Sequence, residues 1–482
     1  MHHGMSCFRK QTIIGFIYIK DFFSKRKSTV FNTSSSQERD EAFFQISFSW
    51  TLRVTLVRKA PVPRTRQQHK TKTNHQLSPS PPPSPCWFLP MSLRRGAVVF
   101  HRHGHCAPAR SIVVNHDEEI KLWSSLTKAE EIHGELCKRF PIINANISTP
   151  KDLTTAPFGL ITQKGLLSLE LLGRNIAGRF PHLAKTTKLQ VFATNYQRTQ
   201  ASAQQLLTGL FHSIDQKRLA GPSTVNVRST YACPMSFYEG NPTLSNQLLQ
   251  LSQSSADFIE REESDEIRRL RDTLLNVLPG LLVTTTNKFD WMAAFDYYVC
   301  RESHDVSIAP QIASYTEPVK RHLTFRYGHY CTNKHHLAHI CVPLLLDLRS
   351  ALVTILSEDS PNDVSLSIFS GHDVSILALL YCFQAKMVTS SSSTVSPAFS
   401  SSSFWPMYGS SLVFDVRPTS SSSNTSTSTS ALVDVYYDLE PLPIKLPGSY
   451  HTTTTSTPNI ASFTLDDLNR CIDYMSRDFI TI

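Results

Sequence analysis

Five short apolar runs, rich in β-branched and aromatic residues, constrain the fold of this 482-residue chain most strongly. Each run has the length of a buried strand, and segments of helical or irregular character separate most of them. Strands interleaved with helices predict an α/β sheet with helical insertions. The five predicted strands are Gly96–His101, Leu189–Thr194, Val364–Ser370, Ser411–Val416 and Ala431–Tyr437.

Apolar residues recur at helical spacing in three segments between these runs. The first segment precedes the second predicted strand, the second segment follows that strand, and the third precedes the strand at Val364. The residues that define them are Leu169, Leu172, Ile176 and Phe180, then Ala203, Leu206, Leu207 and Leu210, and finally Leu344, Leu348, Leu352 and Ile355.

Composition divides the chain near residue 90. Residues 1–90 are basic and of low complexity, with a Pro/Ser/Thr/Gln-rich stretch at 60–86, so we expect a largely disordered extension there. The folded domain is then expected over residues 91–482, with Met91 as an alternative start. Within it, Ser/Thr-rich tracts near 389–403, 419–430 and 452–457 predict long surface loops.

The positive net charge lies in the N-terminal extension. Residues 1–90 hold 14 Lys and Arg against 4 Asp and Glu, a charge of +10, so the total of +9 leaves −1 for residues 91–482. A nearly neutral domain argues against nucleic acid as its partner. The sequence also lacks an apolar run of about 20 residues, so we expect no membrane span. The short apolar segment Gln11–Ile19 follows Arg9-Lys10 but lacks a small-residue cleavage site, so it is only a weak targeting signal and not a convincing signal peptide. The sequence leaves the compartment open, secretory or organellar targeting included.

The stretch Val98–Ile112, VVFHRHGHCAPARSI, contains two candidate nucleophiles for phosphate chemistry, His103 and Cys106. A cysteine phosphatase needs a long loop between its cysteine and arginine, because several backbone N–H groups must point at the phosphate. Here only three residues separate Cys106 from Arg110, and one of them is Pro108, which has no N–H. The sequence therefore disfavours the cysteine.

The histidine is supported by two other strand-to-helix turns. Arg102 and His103 follow the first predicted strand directly, at the carboxyl end where open α/β sheets bind ligands. Arg198 lies after the second strand at the start of a helix, and His372-Asp373 lies between the third strand and another helix. Two arginines, two histidines and an aspartate supply what phosphoryl transfer to a histidine needs: cations, a nucleophile and an acid.

These segments resemble the histidine acid phosphatases, which carry an RHGxRxP signature and a distal His-Asp pair. The resemblance extends over about residues 98–437. It includes LITQKGLLSLELLGRNIAGRF, TNYQRTQASAQQLLTGLF and WPMYGSSLVFDV, which occur in the order of the family's segments. It implies a three-layer α/β/α sandwich with a mostly parallel sheet, and a mostly helical cap contributed mainly by about residues 212–361.

By this resemblance, His103 is the nucleophile, Asp373 is the proton donor, Arg102 and Arg198 bind phosphate, and His372 hydrogen-bonds it. The substrate would be a small phosphate monoester, and the resemblance implies no metal or organic cofactor. It leaves oligomeric state open. A second HDVS motif at His304 follows a polar segment instead of an apolar strand, so we interpret His304-Asp305 as a surface or substrate-loop pair.

The chain departs from the signature at one position, where Cys106 stands in place of the second arginine. A thiol cannot replace a planar, permanently charged guanidinium, and losing one transition-state donor typically costs ~10²–10³ in rate. Arg110 or a protonated His105 could compensate. Two hypotheses therefore remain: an acid phosphatase, impaired or compensated, and a phosphoester-binding pseudoenzyme.

Overall fold

The structure, a computed structural model, describes residues 96–127, 138–143, 157–212, 224–228, 233–236, 242–283, 287–357, 364–387, 396–397, 404–418, 431–448 and 462–479. All of them belong to one compact unit, Pro83–Ile482. The predicted extension over residues 1–90 lies outside the described residues, as do the Ser/Thr-rich tracts near 419–430 and 452–457.

A nine-stranded sheet forms the centre of the described structure, in the order β12-β11-β10-β1-β7-β3-β4-β2 with β13 also paired to β11. Two further pairs, β5 with β6 and β8 with β9, lie outside it. The strands are β1 Gly96–Arg102, β2 Ile142–Ile143, β3 Thr186–Ala193, β4 Val225–Val227, β5 Leu282–Val283, β6 Lys288–Phe289, β7 Val364–Gly371, β8 Lys386–Met387, β9 Ser396–Pro397, β10 Ser411–Pro418, β11 Ala431–Tyr437, β12 Glu440–Pro441 and β13 Ser462–Phe463.

Strand direction changes along this sheet. The pairs β1–β7, β7–β3, β3–β4 and β4–β2 are parallel, whereas β10 is antiparallel to both β1 and β11. Among the described strands of the sheet, six run in one direction, and β10, β12 and β13 run in the other. The sheet is therefore mostly parallel in direction, with an antiparallel edge.

The described helices are α1 His116–Leu126, α2 Gln163–Arg179, α3 Gln197–Leu210, α4 Pro242–Ser254, α5 Ala256–Glu263, α6 Asp265–Val277, α7 Trp291–Ser303, α8 Thr316–Thr332, α9 Lys334–Leu356, α10 Asp373–Cys382 and α11 Leu465–Phe479. All five predicted strands and all three predicted helices are present, with bounds shifted by a few residues. One predicted Ser/Thr-rich loop, 389–403, contains the short strand β9, and most of its other residues lie outside the described part.

Apolar cores on both faces of the sheet define three layers. Val98 and Phe100 of β1 pack with residues of α9, α10 and α11 on one face. Ala97 and Val99 point to the other face and pack with α2 and α3. The alternation of side chains along a strand explains how one strand serves both cores. This is the predicted three-layer α/β/α sandwich.

A third apolar cluster joins helices from the segment predicted to form the cap. It includes Leu274 of α6, Trp291 and Tyr298 of α7, and Leu323 of α8. The described part of 242–332 is mainly helical, and it contacts the sheet domain through Ile112 and Leu377 in the same cluster. Its role as a cap stays a prediction.

Helix α9 is the one described helix that is long and apolar enough to cross a membrane. Half of its most apolar 18-residue window is buried, and Leu344, Leu348 and Leu352 belong to the core against the sheet. Its hydrophobicity is therefore explained by packing within the sandwich.

Candidate active site

The five residues singled out in the sequence come together at one edge of the sheet. Strands β1, β7 and β3 are adjacent and parallel, so their carboxyl ends lie side by side. A cavity of about 220 Å³ opens there, and its lining includes all five: Arg102, His103, Arg198, His372 and Asp373. The roles that the resemblance gives these residues stay predictions.

Backbone and side-chain hydrogen bonds hold the imidazole of His103 in one orientation. Its Nδ1 lies 2.9 Å from the carbonyl oxygen of Gly104, so Nδ1 carries the proton and Nε2 keeps its lone pair. Arg198 donates from Nε to this Nε2 at 3.2 Å. Burial, together with Arg198 and Arg102, holds the pKa of His103 well below its usual value. The ring is therefore neutral even in mild acid.

Arg102 links the first strand to the predicted proton donor. Its Nη2 forms a 2.9 Å ion pair with Oδ2 of Asp373, and its Nη1 donates to the carbonyl oxygen of Pro406 at 2.6 Å. The guanidinium also stacks on Tyr408, 4.1 Å from the ring centre. Its buried Nε–H has no hydrogen-bond partner in the described part of the chain.

Asp373 is fixed from two further directions. Trp405 donates from its indole nitrogen to Oδ2 at 2.9 Å, and the backbone N–H of Val374 donates to Oδ1 at 2.8 Å. Asp373 is the first residue of α10, and the N-terminus of a helix favours a negatively charged side chain. These contacts orient it before any substrate binds.

His372 is the residue before α10 and lies beside the first histidine. The two ring centres are 5.6 Å apart in an edge-to-face arrangement. Its Nε2 is 3.1 Å from the hydroxyl of Thr194, so the other ring nitrogen remains for a ligand. Burial lowers the pKa of His372 to about 3, so the ring binds as a neutral group.

Cys106 lines the same cavity and is buried, with 4% of its surface exposed. Its sulfur lies 3.9 Å from the hydroxyl of Tyr408, which also contacts Cys300 at 3.2 Å. Cys106 thus brings no positive charge to the wall where the signature places an arginine.

Neither candidate for compensation supplies that charge. Arg110 lines the cavity, but it forms a 2.8 Å ion pair with Asp290 and donates to the carbonyl oxygen of Gly280 at 2.7 Å. Burial lowers the pKa of His105 to about 4, so this ring is neutral above that pH. Its ring packs 4.7 Å from that of Tyr408. Neither position 106 nor its neighbour His105 therefore adds a cation to this part of the chain above pH 4, whereas Arg110, like Arg102, is an ion-paired cation of the lining.

The glycine of the Arg-His-Gly run is required by packing against α2. A Cβ on Gly104 would lie 2.6 Å from the carbonyl oxygen of Gly165, and one on Gly165 would lie 2.1 Å from that of His105. The loop and the helix therefore approach so closely that both positions need glycine.

The second HDVS motif does not reach the cavity lining. His304 ends α7, is half-buried, and lies with its Nε2 2.8 Å from the hydroxyl of Thr162. Its ring also meets His105 edge-on at 5.7 Å. His304 thus contacts the loop that carries His103, while Asp305 beside it is exposed in the turn after α7, and the interpretation as a surface or substrate-loop pair stays a prediction.

Sequence reasoning missed four residues around this site: Asp290, Asp296, Trp405 and Tyr408. Asp290, the residue before α7, and Asp296, in the second turn of α7, both line the cavity. Trp405 and Tyr408 precede β10, whose beginning lies at the carboxyl end of β1 because the two strands are antiparallel. A prediction that β10 is antiparallel to β1 would have placed the residues before β10 beside the cavity.

Fold and site together are those of an α/β phosphohydrolase. The family model described as histidine phosphatase superfamily (branch 2) matches residues 95–433 of the chain. The match covers well over half of the sequence, and the chain belongs to this family. The predicted family is thereby confirmed. No curated protein sequence matches the chain.

Solved structures with a similar fold include three phosphatases. The phytase from Citrobacter braakii is 14% identical with a TM-score of 0.47, over 80% of this chain and 98% of that one. The Bifidobacterium longum multiple inositol polyphosphate phosphatase in complex with inositol hexasulfate is 13% identical with a TM-score of 0.49, over 81% and 94%. The Klebsiella sp. ASR1 phytase is 16% identical with a TM-score of 0.43, over 80% and 95%.

Proposed function

We propose that this protein is an acid phosphatase that hydrolyses phosphate monoesters through a phosphohistidine on His103. The observation that carries the proposal is the state of this imidazole. Its Nδ1 proton is fixed on the Gly104 carbonyl, and its neutral Nε2 faces Arg198 in the cavity. A neutral ring nitrogen beside a phosphate-binding cation is the nucleophile that the reaction needs.

In the first step, Nε2 of His103 attacks phosphorus opposite the leaving alcohol. An N–P bond forms while the ester P–O bond breaks. Asp373, ionised and paired with Arg102 in the free protein, takes up the proton of the monoanionic ester as it binds and gives this proton to the departing oxygen. Asp373 is the proposed donor because it lines the same cavity as His103 and is held there by Arg102. The products of this step are the free alcohol, a phosphohistidine and an ionised Asp373.

In the second step, water attacks phosphorus and gives its proton to the Asp373 carboxylate. The N–P bond breaks, and inorganic phosphate leaves as the monoanion with the proton that Asp373 took from water. Asp373 is again ionised, and His103 returns to its neutral form with its proton on Nδ1. Arg102 and Arg198 offset the charge on the transferring group in both steps, and His372 adds a neutral hydrogen bond. With Cys106 in the clamp, we expect a reduced rate.

The test is hydrolysis of p-nitrophenyl phosphate by the wild type and by His103→Ala. We expect the variant to lose at least about 10³ in kcat, since it removes the nucleophile. His335→Ala is the matched control, because this histidine is exposed on α9 and outside the cavity. Equal activity in wild type and His103→Ala would refute the enzymatic proposal.

A second candidate function, a phosphoester-binding protein without turnover, is favoured by one observation, the buried thiol of Cys106 in the clamp. It predicts that calorimetry detects phosphate binding to the wild type while no p-nitrophenol is released. Binding should then be lost in Arg198→Gln, whereas His103→Ala should still bind.

A further inference from the structure

Two buried thiols meet at the cavity that holds His103. Cys106 lines this cavity, and Cys300 lies near the end of α7 and is completely buried. Both cysteines are free. The hydroxyl of Tyr408 lies 3.2 Å from the sulfur of Cys300 and 3.9 Å from that of Cys106, and the two thiols hydrogen-bond to each other. The loop after β1 and helix α7 thus each bring one sulfur to the same place.

The two thiols differ in acidity. The hydrogen bond that Cys300 donates lowers the pKa of the Cys106 thiol. The positive charges of Arg198 and Arg102 act in the same direction, whereas burial and Asp296 oppose them. Burial raises the pKa of Cys300 well above its usual value. The pKa is also raised at the other described cysteines, which are Cys233, Cys331, Cys341, Cys382 and Cys471.

Cys106 therefore has the properties of a thiol that reacts with peroxide. The thiolate is the reactive form, and Cys106 is the one described cysteine whose pKa is lowered. It also lines a cavity of about 220 Å³, which is large enough to admit a molecule as small as hydrogen peroxide. Cysteines that sense oxidants combine a low pKa and an accessible sulfur with a second cysteine nearby that resolves the oxidised form. Cys300 is in the position of that second cysteine.

Tyr408 connects this pair of thiols to the residues that we propose act in phosphoryl transfer. Its ring stacks on the guanidinium of Arg102, 4.1 Å from the ring centre, and lies 5.8 Å from the ring of His103. Its hydroxyl hydrogen-bonds to both thiols. A disulfide would remove the thiol protons and bring the two sulfurs to about 2.05 Å from each other. These hydrogen bonds would then be lost, and Tyr408 would no longer be held against Arg102.

We propose that Cys106 and Cys300 are a site of reversible oxidation, and that their disulfide switches the active site off. The oxidant is hydrogen peroxide. The thiolate of Cys106 attacks one peroxide oxygen, the O–O bond breaks, and the departing hydroxide takes up the proton that Cys106 released. The sulfur of Cys300 then attacks the sulfenic acid on Cys106, so that an S–S bond forms while the S–O bond breaks.

The hydroxyl group leaves with the proton of Cys300 as water. Two thiols are thus oxidised to a disulfide, and the peroxide is reduced to water. A dithiol reverses the change by thiol–disulfide exchange. Formation of the disulfide does not depend on the phosphatase function, whereas its effect on turnover rests on that proposed function.

The test treats the reduced full chain with hydrogen peroxide and identifies cross-linked peptides by mass spectrometry without reduction. Hydrolysis of p-nitrophenyl phosphate is measured before treatment, after treatment, and after addition of dithiothreitol. For the wild type we expect a cross-link between Cys106 and Cys300 and a decrease in kcat/KM of about tenfold or more, because small displacements of positioned groups are costly in rate. Dithiothreitol should remove the cross-link and restore the rate.

Cys300→Ser tests the role of the second thiol, with each variant compared with its own untreated sample. Without Cys300, excess peroxide should carry Cys106 on to the sulfinic acid, which dithiothreitol does not reduce, so the lost activity should not return. Cys331→Ser is the matched control, because it removes a buried cysteine of α8 that does not line the cavity. It should respond to peroxide and to dithiothreitol as the wild type does.

Three results would overturn the proposal. Cys106 could be recovered as a free thiol, or cross-linked to a cysteine other than Cys300. The cross-link could form without a change in kcat/KM, which would refute the switch while leaving the phosphatase function standing. Cys300→Ser could recover its activity as completely as the wild type, which would refute the role of Cys300.

If the reduced protein releases no p-nitrophenol, the proposed function fails, but the peptide analysis still tests the disulfide. Calorimetry with inorganic phosphate then measures the effect of oxidation on the cavity. Binding that is about tenfold weaker after peroxide treatment and recovers with dithiothreitol supports the proposal. Equal affinity of the reduced and the cross-linked protein contradicts it.

Discussion

At the scale of single residues, His103 and Cys106 have opposite effects on the rate of the reaction that we propose for this cavity. His103, the proposed nucleophile, has a pKa well below its usual value, and its Nε2 accepts from Arg198. Cys106 brings a thiol to the cavity, where an arginine would form charge-assisted hydrogen bonds to phosphate. In the proposed mechanism the nucleophile is therefore well oriented, whereas charge stabilisation is reduced.

Restoring the arginine should raise activity. We expect Cys106→Arg to increase kcat/KM for p-nitrophenyl phosphate by ~10–10², because a phosphate-binding donor is regained in the cavity that position 106 lines. Cys106→Met is the control for size, since it enlarges the side chain without adding charge. Equal rates in the two variants would show that charge at position 106 does not limit the reaction.

At the scale of elements, the site depends on parallel strands that end at the same edge and on helices that begin there. The apolar runs and the polar residues after them were enough to predict β1, β3 and β7 and to bring Arg102, Arg198 and His372 to one place. β1 and β7 are continuous buried runs, whereas β3 is buried at Thr186, Val191 and Ala193 and alternates with more exposed residues. Short apolar runs of this length are typical of strands. The elements that carry the clamp were therefore predictable.

The remainder of the site could not be predicted, for a physical reason. Asp296 lies on α7 and Asp290 directly before it, and this helix reaches the cavity only through tertiary packing of the third apolar cluster. Which residues of α7 line the cavity depends on which face of the helix turns toward it. The spacing of residues along α7 determines neither that face nor the distance of the helix from the sheet. The contact of His304 with the loop of His103 was missed for the same reason.

Two glycines on α2, Gly165 and Gly178, allow a test of how closely this helix packs against the loop that carries His103. Gly165→Ala would bring a Cβ to 2.1 Å from the His105 carbonyl oxygen, so helix and loop must separate. We expect a loss of about 2 kcal/mol in the free energy of unfolding, together with reduced kcat/KM. The measurement is urea denaturation combined with a p-nitrophenyl phosphate assay.

Gly178→Ala is the matched control on the same helix, because an added Cβ there meets no atom within 4 Å. It should stabilise the protein by about 0.5–1 kcal/mol through helix propensity alone, with unchanged activity. Similar effects of the two substitutions would contradict the close approach of α2 to the active-site loop.

At the scale of the whole molecule, several histidines are buried in neutral form. Burial lowers the pKa values of His101 and His336 to about 4 and that of His372 to about 3, from 6.5 in an unfolded chain. Between pH 6.5 and 4 the unfolded state therefore binds more protons than the folded state. The stability from these residues is complete above pH 6.5 and is lost as the pH falls.

The free energy of unfolding should accordingly decrease by about 1.4 kcal/mol per pH unit for each such histidine in this window. Urea denaturation at pH 7, 6 and 5 measures the slope. His336→Gln, which lies outside the cavity, should reduce the slope by the contribution of one histidine. An identical slope in the wild type and this variant would show that His336 is not buried in neutral form.

The central claim, that the chain works through a phosphohistidine on His103, is tested most directly by trapping the intermediate. In Asp373→Asn the first step still proceeds with p-nitrophenyl phosphate, whose leaving group needs no acid, while the second step lacks its base. After an alkaline quench, peptide mass spectrometry should find the phosphoryl group on His103. A phosphoryl group on Cys106, or turnover by His103→Ala at the wild-type rate, would contradict the account.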